Sequence, residues 1–155
     1  MQKGFTIIEL MIIVAVIAIV SVLGVPAMET IKSNRLADRL YQEIELDLRY
    51  ARSQASSTGI IYEFEPLNDW DDGWKVTQKA AGGDVIMRQR NHELLSGTIT
   101  SADLKTGSPL AFQPNGRSNN DVQIKIDVTG CSGDKIRTIQ ANRIGQIQIT
   151  DIEAC

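Results

Sequence analysis

The chain has one histidine, two cysteines and four prolines in 155 residues, so it holds little with which to run a reaction. His92 lies in the polar stretch Arg90-Asn91-His92-Glu93 and is expected to be solvated. No serine stands in a G-x-S-x-G elbow, and no glycine-rich phosphate loop precedes a helix. Cys131 and Cys155 with His92 make no zinc-binding spacing. The acidic turn Asp69-Trp70-Asp71-Asp72-Gly73 lacks the alternating ligands and the distant Glu of a calcium loop, and reads as solvated. No catalytic residue, cofactor or metal is expected, and the chain reads as no enzyme. An excess of basic charge is also missing. Sixteen Lys and Arg against nineteen Asp and Glu leave a net charge of −3, so nucleic-acid binding would need a local basic patch.

What the chain does have is a long apolar run. From Phe5 to Val25 it is broken only by Thr6, Glu9, Ser21 and Gly24. At ~1.5 Å rise a helix over it is ~31 Å long, enough to cross the hydrocarbon core of a bilayer. Glu9 is the anomaly. A carboxylate inside a span costs ~2.5 kcal/mol or more at mid-membrane, so it points to a function by default. The alternative is a Glu near enough to the headgroups to stay wet. The segment is no ordinary secretory signal, because Met1-Gln2-Lys3-Gly4 is too short, the apolar run is too long and no A-x-A site follows. Lys3 favours a cytoplasmic N-terminus and an exported C-terminal part.

The stretch Gly4-Phe5-Thr6-Ile7-Ile8-Glu9-Leu10 resembles the class III signal of type IV pilins and pseudopilins. That resemblance implies cleavage after Gly4 by a membrane prepilin peptidase and methylation of the new amine on Phe5. It implies that Glu9 pairs with the N-terminal amine of a neighbouring subunit during filament assembly. The expected partners are other pilins through the N-terminal helix, the peptidase, and the inner membrane before assembly. The expected location is the inner membrane, single pass with a periplasmic C-terminus, and then a pilus or pseudopilus. In an exported domain the compartment is oxidising, and Cys131 and Cys155 would close a loop of about 24 residues worth ~3 kcal/mol. Two unpaired thiols are the alternative.

Beyond the run, Gly24 and Pro26 are expected to end or kink the span. Met28, Ile31, Leu36, Leu40, Ile44, Leu48, Ala51 and Ala55 then recur at helical spacing, with Asp38, Glu43, Asp47 and Arg49 among the charges that fill the other faces. Ser56-Ser57-Thr58-Gly59 reads as a stop, so one helix of some ~80 Å is expected from Phe5 to about Ser57. Strand patterns follow at 60–64, 74–77, 84–88, 110–112, 122–128, 136–140 and 144–150. Trp74 is expected in the core. Trp70, between acids, is equally compatible with exposure.

The predicted fold is α+β, a ladle whose long helix packs against a C-terminal antiparallel sheet. Its parts are a leader at 1–4, a membrane or filament-core helix at 5–25, an amphipathic half at 26–57 and a β-rich head at 58–155. Within the pilin superfamily the head resembles the GspH/FimT/FimU branch. The matching stretches are Leu48-Arg49-Tyr50-Ala51-Arg52-Ser53-Gln54-Ala55, Trp70-Asp71-Asp72-Gly73-Trp74, Leu110-Ala111-Phe112-Gln113-Pro114-Asn115-Gly116 and Arg143-Ile144-Gly145-Gln146-Ile147. The resemblance implies a minor pilin that primes a type IV pilus or sits at its tip. A terminal disulfide resembles FimU-like subunits more than secretion pseudopilins. An H-type minor pseudopilin of a type II secretion system is the alternative, and a DNA-binding FimT-like pilin the second. DNA-binding members carry a basic G-R-x-R motif, where this chain has Gly145-Gln146-Ile147-Gln148.

Overall fold

The computed structural model describes residues 6–92 and 98–155; for residues 22–27 it describes the backbone only. One helix, α1 (Ile7–Thr58), carries the whole architecture. Thr6 caps it by accepting the Glu9 amide on its hydroxyl at 3.3 Å. Gly59 closes it in the left-handed region at φ +71°, and its amide bonds to the Ala55 carbonyl. The helix passes through Gly24 and Pro26 without interruption, so Pro26 does not end it; the side chains at 22–27 lie outside the described residues.

Among the described residues the head has eight strands: β1 (Tyr62–Pro66), β2 (Gly73–Ala80), β3 (Gly83–Asn91), β4 (Ile99–Thr100), β5 (Leu110–Phe112), β6 (Val122–Ile126), β7 (Ile136–Ala141) and β8 (Ile147–Glu153). They form two antiparallel sheets where the sequence suggested one, in the orders β3-β2-β1-β5 and β4-β6-β7-β8. Alternation decides which face of each strand is buried. Tyr62, Phe64 and Pro66 of β1 point inward, as do Val122, Ile124 and Ile126 of β6. They meet Leu40, Ile44, Leu48, Ala51 and Ala55 of α1 in one core with Trp74 and Phe112. Three expectations shift here. The strand at 144–150 starts only at Ile147, because Gly145 turns the chain first at φ +80°. Trp70 is buried, 6% exposed, against Phe64 in a short 3-10 turn, Trp70–Asp72. His92 is not solvated. Its side chain is 10% exposed and stacks on Trp74 with ring centres 5.1 Å apart.

Charges fix the head to the helix from two sides. Asp38 and Asp47 are nine residues apart, two and a half helical turns, so they project from opposite flanks of α1. On one flank Asp38 takes Lys135 and Arg137, both at 2.8 Å, from the start of β7 and the residue before it. The bond from Lys135 leads in holding its carboxyl below the ordinary range, against a burial effect that raises it, and Arg137 adds to the lowering. On the other flank Asp47 is fully buried and meets the first sheet. Trp74 Nε1 donates to it at 3.0 Å, Arg88 Nη1 at 2.9 Å and Arg90 Nε at 3.0 Å. Arg88 also lies over the Tyr50 ring at 3.7 Å. Asp47 was expected among the charges that fill the helix faces other than the apolar stripe, and the structure places it at the buried junction.

Candidate assembly interface

Below the head, α1 is uncovered. Its large apolar side chains from Ile7 to Val20 are 45–83% exposed and occur on every side of the helix. A helix that is apolar all round belongs in a membrane or among other helices, since water-exposed apolar surface costs ~25 cal/mol per Å². Glu9 is the one charge among the described residues of this stretch, in the first turn, where the partial positive end of the helix favours a carboxylate. Ser21 hides its hydroxyl by donating to the Ile17 carbonyl at 2.8 Å. Among the described residues no helix is long and apolar enough to cross a membrane. The apolar run of the sequence extends further at both ends. Phe5 lies outside the described residues, as does Gly4, and the side chains at 22–27 are not described.

At the other end of α1 the structure brings together segments far apart in sequence. Arg52 donates from Nε to the Gly116 carbonyl at 3.1 Å. Gly145 sits on the same carbonyl so closely that a Cβ there would lie 1.9 Å from it. The Ser118 hydroxyl donates to the Asn120 and Asn142 carbonyls, and Asp121 accepts the Arg143 amide at 2.8 Å. The turns at 113–117 and 142–146 therefore stack on each other and on the end of α1. We expect Gly145→Ala to cost about 2–3 kcal/mol in urea unfolding of the full chain in detergent. Gly107 has the same φ of +80° with nothing within 4 Å, so Gly107→Ala should cost only about 1 kcal/mol. Equal losses at the two sites would remove the close approach as the cause.

A third contact lies near the lower edge of the head. Cys131 and Cys155 form a disulfide, with Cα atoms 5.7 Å apart. The segment on either side of Cys131 grips α1. Ser33 donates to the Thr129 carbonyl at 3.1 Å, and Asn34 accepts the Ser132 amide at 2.9 Å. Among the described residues no three His, Cys, Asp or Glu side chains are placed to hold a metal ion.

This architecture has known counterparts. Residues 1–25 match the family described as the prokaryotic N-terminal methylation motif. Residues 41–145 match the family described as Type II transport protein GspH. The chain belongs to the GspH family. Members of this family are structural pilin and pseudopilin subunits rather than enzymes. The type IV minor pilin FimU of Pseudomonas aeruginosa has a similar fold, with a TM-score of 0.53 and 23% identity, covering 74% of this chain and 95% of FimU. The minor pseudopilin EpsH from the Type 2 Secretion System of Vibrio cholerae matches with a TM-score of 0.56 and 16% identity, covering 73% of this chain and 94% of EpsH. No curated protein sequence matches significantly. The GspH segment of this chain contains the whole Asp47 cluster and the Lys135 and Arg137 side of the Asp38 cluster, and it ends at Gly145, the glycine seated on Gly116.

Two side chains of this scaffold escaped the sequence reading. Asp47 was detectable, because Ile44, Asp47 and Ala51 follow three- and four-residue steps along the apolar stripe. His92 gave no such signal. Its neighbours are polar, and its partners are distant in sequence: Glu43 Oε2 lies 2.9 Å from Nε2, out of line for a hydrogen bond, and Arg39 Nη2 lies 3.2 Å from Nδ1.

Proposed function

We propose that this GspH-family chain is a minor pilin of a type IV pilus. The observation that carries the reading is a helix apolar on all sides, exposed below the head and bearing one carboxylate at its start. In this reading residues 1–4 are a leader removed by prepilin peptidase, and residues 5–25 anchor the chain in the inner membrane. Cleavage after Gly4 frees the amine of Phe5, which is then methylated. Glu9 accepts the amine of a neighbouring subunit. The pairing offsets the cost of burying the carboxylate and sets the axial register between helices. Residues 26–57 carry the head, residues 58–155, on the outside of the growing filament. Gly24 and Pro26 mark the passage between the two halves of the helix. The head primes assembly or sits at the tip with other minor subunits.

A second reading keeps the chemistry and changes the machine. The family description and the likeness to EpsH favour an H-type minor pseudopilin of a type II secretion system. Deleting the gene and scoring surface pili and twitching beside exoprotein secretion separates the two. Loss of pili with normal secretion supports the pilus, and the reverse supports the pseudopilus. DNA uptake is weaker. Lys135 and Arg137 are engaged by Asp38, and Arg143 faces Asp121 at 3.6 Å, so among the described basic residues of the head only Lys105 and Arg117 are left without a carboxylate for phosphates.

A further inference from the structure

Lys32 and Arg35 stand apart from most of the other cations among the described residues. Arg39 and Arg49 pair along α1 with Glu43 and Glu45. Arg88 and Arg90 meet Asp47, and Lys135 and Arg137 meet Asp38. Lys75, Lys79, Lys125 and Arg143 each face a carboxylate. Arg52 is engaged by the Gly116 carbonyl. Among the described residues Lys32 and Arg35 are exposed and make no ion pair. Lys105 and Arg117 share that freedom, but both sit in loops of the head.

The two cations also have apolar company. Met28 and Ile31 are exposed, at 57% and 45%. Positions 28, 31, 32 and 35 follow the i, i+3, i+4, i+7 pattern and share one face of α1. Glu29, three residues before Lys32, is also exposed, but it lies roughly 110° round the helix from the centre of that face, and Asp38, three residues after Arg35, is engaged by Lys135 and Arg137. The face therefore presents two free cations and two large apolar side chains directly beyond the apolar run.

We propose that this face binds anionic lipid headgroups of the leaflet on the head's side, and holds the waiting subunit against the bilayer before assembly. The proposal rests on the reading of residues 5–25 as a membrane anchor. Measured from Val25, Lys32 stands ~10 Å and Arg35 ~15 Å along the helix. The headgroup layer extends roughly 5–8 Å beyond the hydrocarbon core. Side chains on a helix slant toward its N-terminus, which here is toward the membrane, and long basic side chains extend their charged ends to the interface. Lys32 thus reaches the phosphates from an upright helix. Arg35 reaches them when the helix leans toward this face, and spans tilt by ~20° on average. The Arg fork suits a phosphate held by two bonds, and Met28 and Ile31 leave water at the same time. An acidic protein surface would satisfy the cations alone. The apolar pair, continuous with the apolar run, favours lipid.

The test uses the full chain in nanodiscs of phosphatidylcholine, with or without phosphatidylglycerol, and reads lysine acetylation by peptide mass spectrometry. Lys32 should label about five-fold more slowly with the anionic lipid, the effect of ~1 kcal/mol per cation near a charged surface. High salt should abolish the difference. Lys75 and Lys105 should label alike in both discs. Arg35→Gln should weaken the protection of Lys32 without changing the amount of chain in the discs. Equal labelling of Lys32 in both lipids, with the chain stably inserted, overturns the proposal. Failure of the chain to enter the discs overturns the anchor reading, and this proposal with it.

Discussion

Asp47→Ala is expected to lower the stability of the head by about 3 kcal/mol, read as the urea midpoint of the full chain in detergent. The carboxylate is fully buried and is the shared acceptor of Trp74, Arg88 and Arg90. Without it the indole N–H is left buried with no acceptor, and two guanidinium groups face each other across a void. Breaking a buried ion pair costs ~3–5 kcal/mol. Here the two Arg side chains are about one-third exposed and regain water, which places the loss at the lower end. Asp47→Asn keeps the shape and loses only the charge, so it should cost less.

The same site sets an acid limit. Burial pushes the Asp47 carboxyl up, but the bonds from Arg90, Arg88 and Trp74 outweigh it and hold it below its ordinary value. A depressed carboxylate contributes its full stabilisation above the unfolded pKa of ~3.9 and loses it as pH falls through the folded value. Wild-type stability should therefore decline below about pH 4, and the gap between wild type and Asp47→Asn should close there. Asp38 is depressed as well, so the variant should keep part of the acid slope. A gap that persists unchanged in acid would assign the Asp47 effect to shape rather than charge.

Glu9→Ala is expected to leave processing intact and to cut incorporation into filaments at least tenfold. Assembly moves an apolar helix from lipid to a bundle of like helices, so apolar contact gains little and cannot by itself choose a register. A carboxylate meeting a buried amine can, because a misaligned helix leaves the charge unpaired at a cost of several kcal/mol. Alanine removes the penalty and the selection together. The mutant should therefore stay in the membrane as a mature chain, readable by its mass, and be depleted from sheared filaments. Glu9→Gln separates the charge from the hydrogen bond. Wild-type amounts of Glu9→Ala in the filament fraction would remove the register role.

Local pattern was enough for much of this structure. The apolar run and the stripe from Leu40 to Ala55 announce one long helix, and α1 follows them to within two residues at either end. Strict alternation from Val122 to Ile126 announces β6. What escaped depends on distant pairing. β1 pairs on one side with β2 next to it and on the other with β5, Phe64 facing Leu110 across 46 positions, and no local pattern announces that partner. The division into two sheets follows from such choices. Asp47 stood visibly on the apolar stripe, but the partners that hold a carboxylate there, Trp74, Arg88 and Arg90, arrive from the sheet and have no local signal. Gly145 was noticed only as part of a motif, and its close approach to Gly116 depends on the folding of both turns.

The most direct measurement is the intact mass of this chain recovered from sheared filaments. A minor pilin processed after Gly4 gives the mass of residues 5–155 with one methyl group on Phe5 and the Cys131–Cys155 disulfide closed. A mass that includes Met1 to Gly4, or a filament fraction that lacks the chain while the membrane fraction holds it, would contradict that assignment.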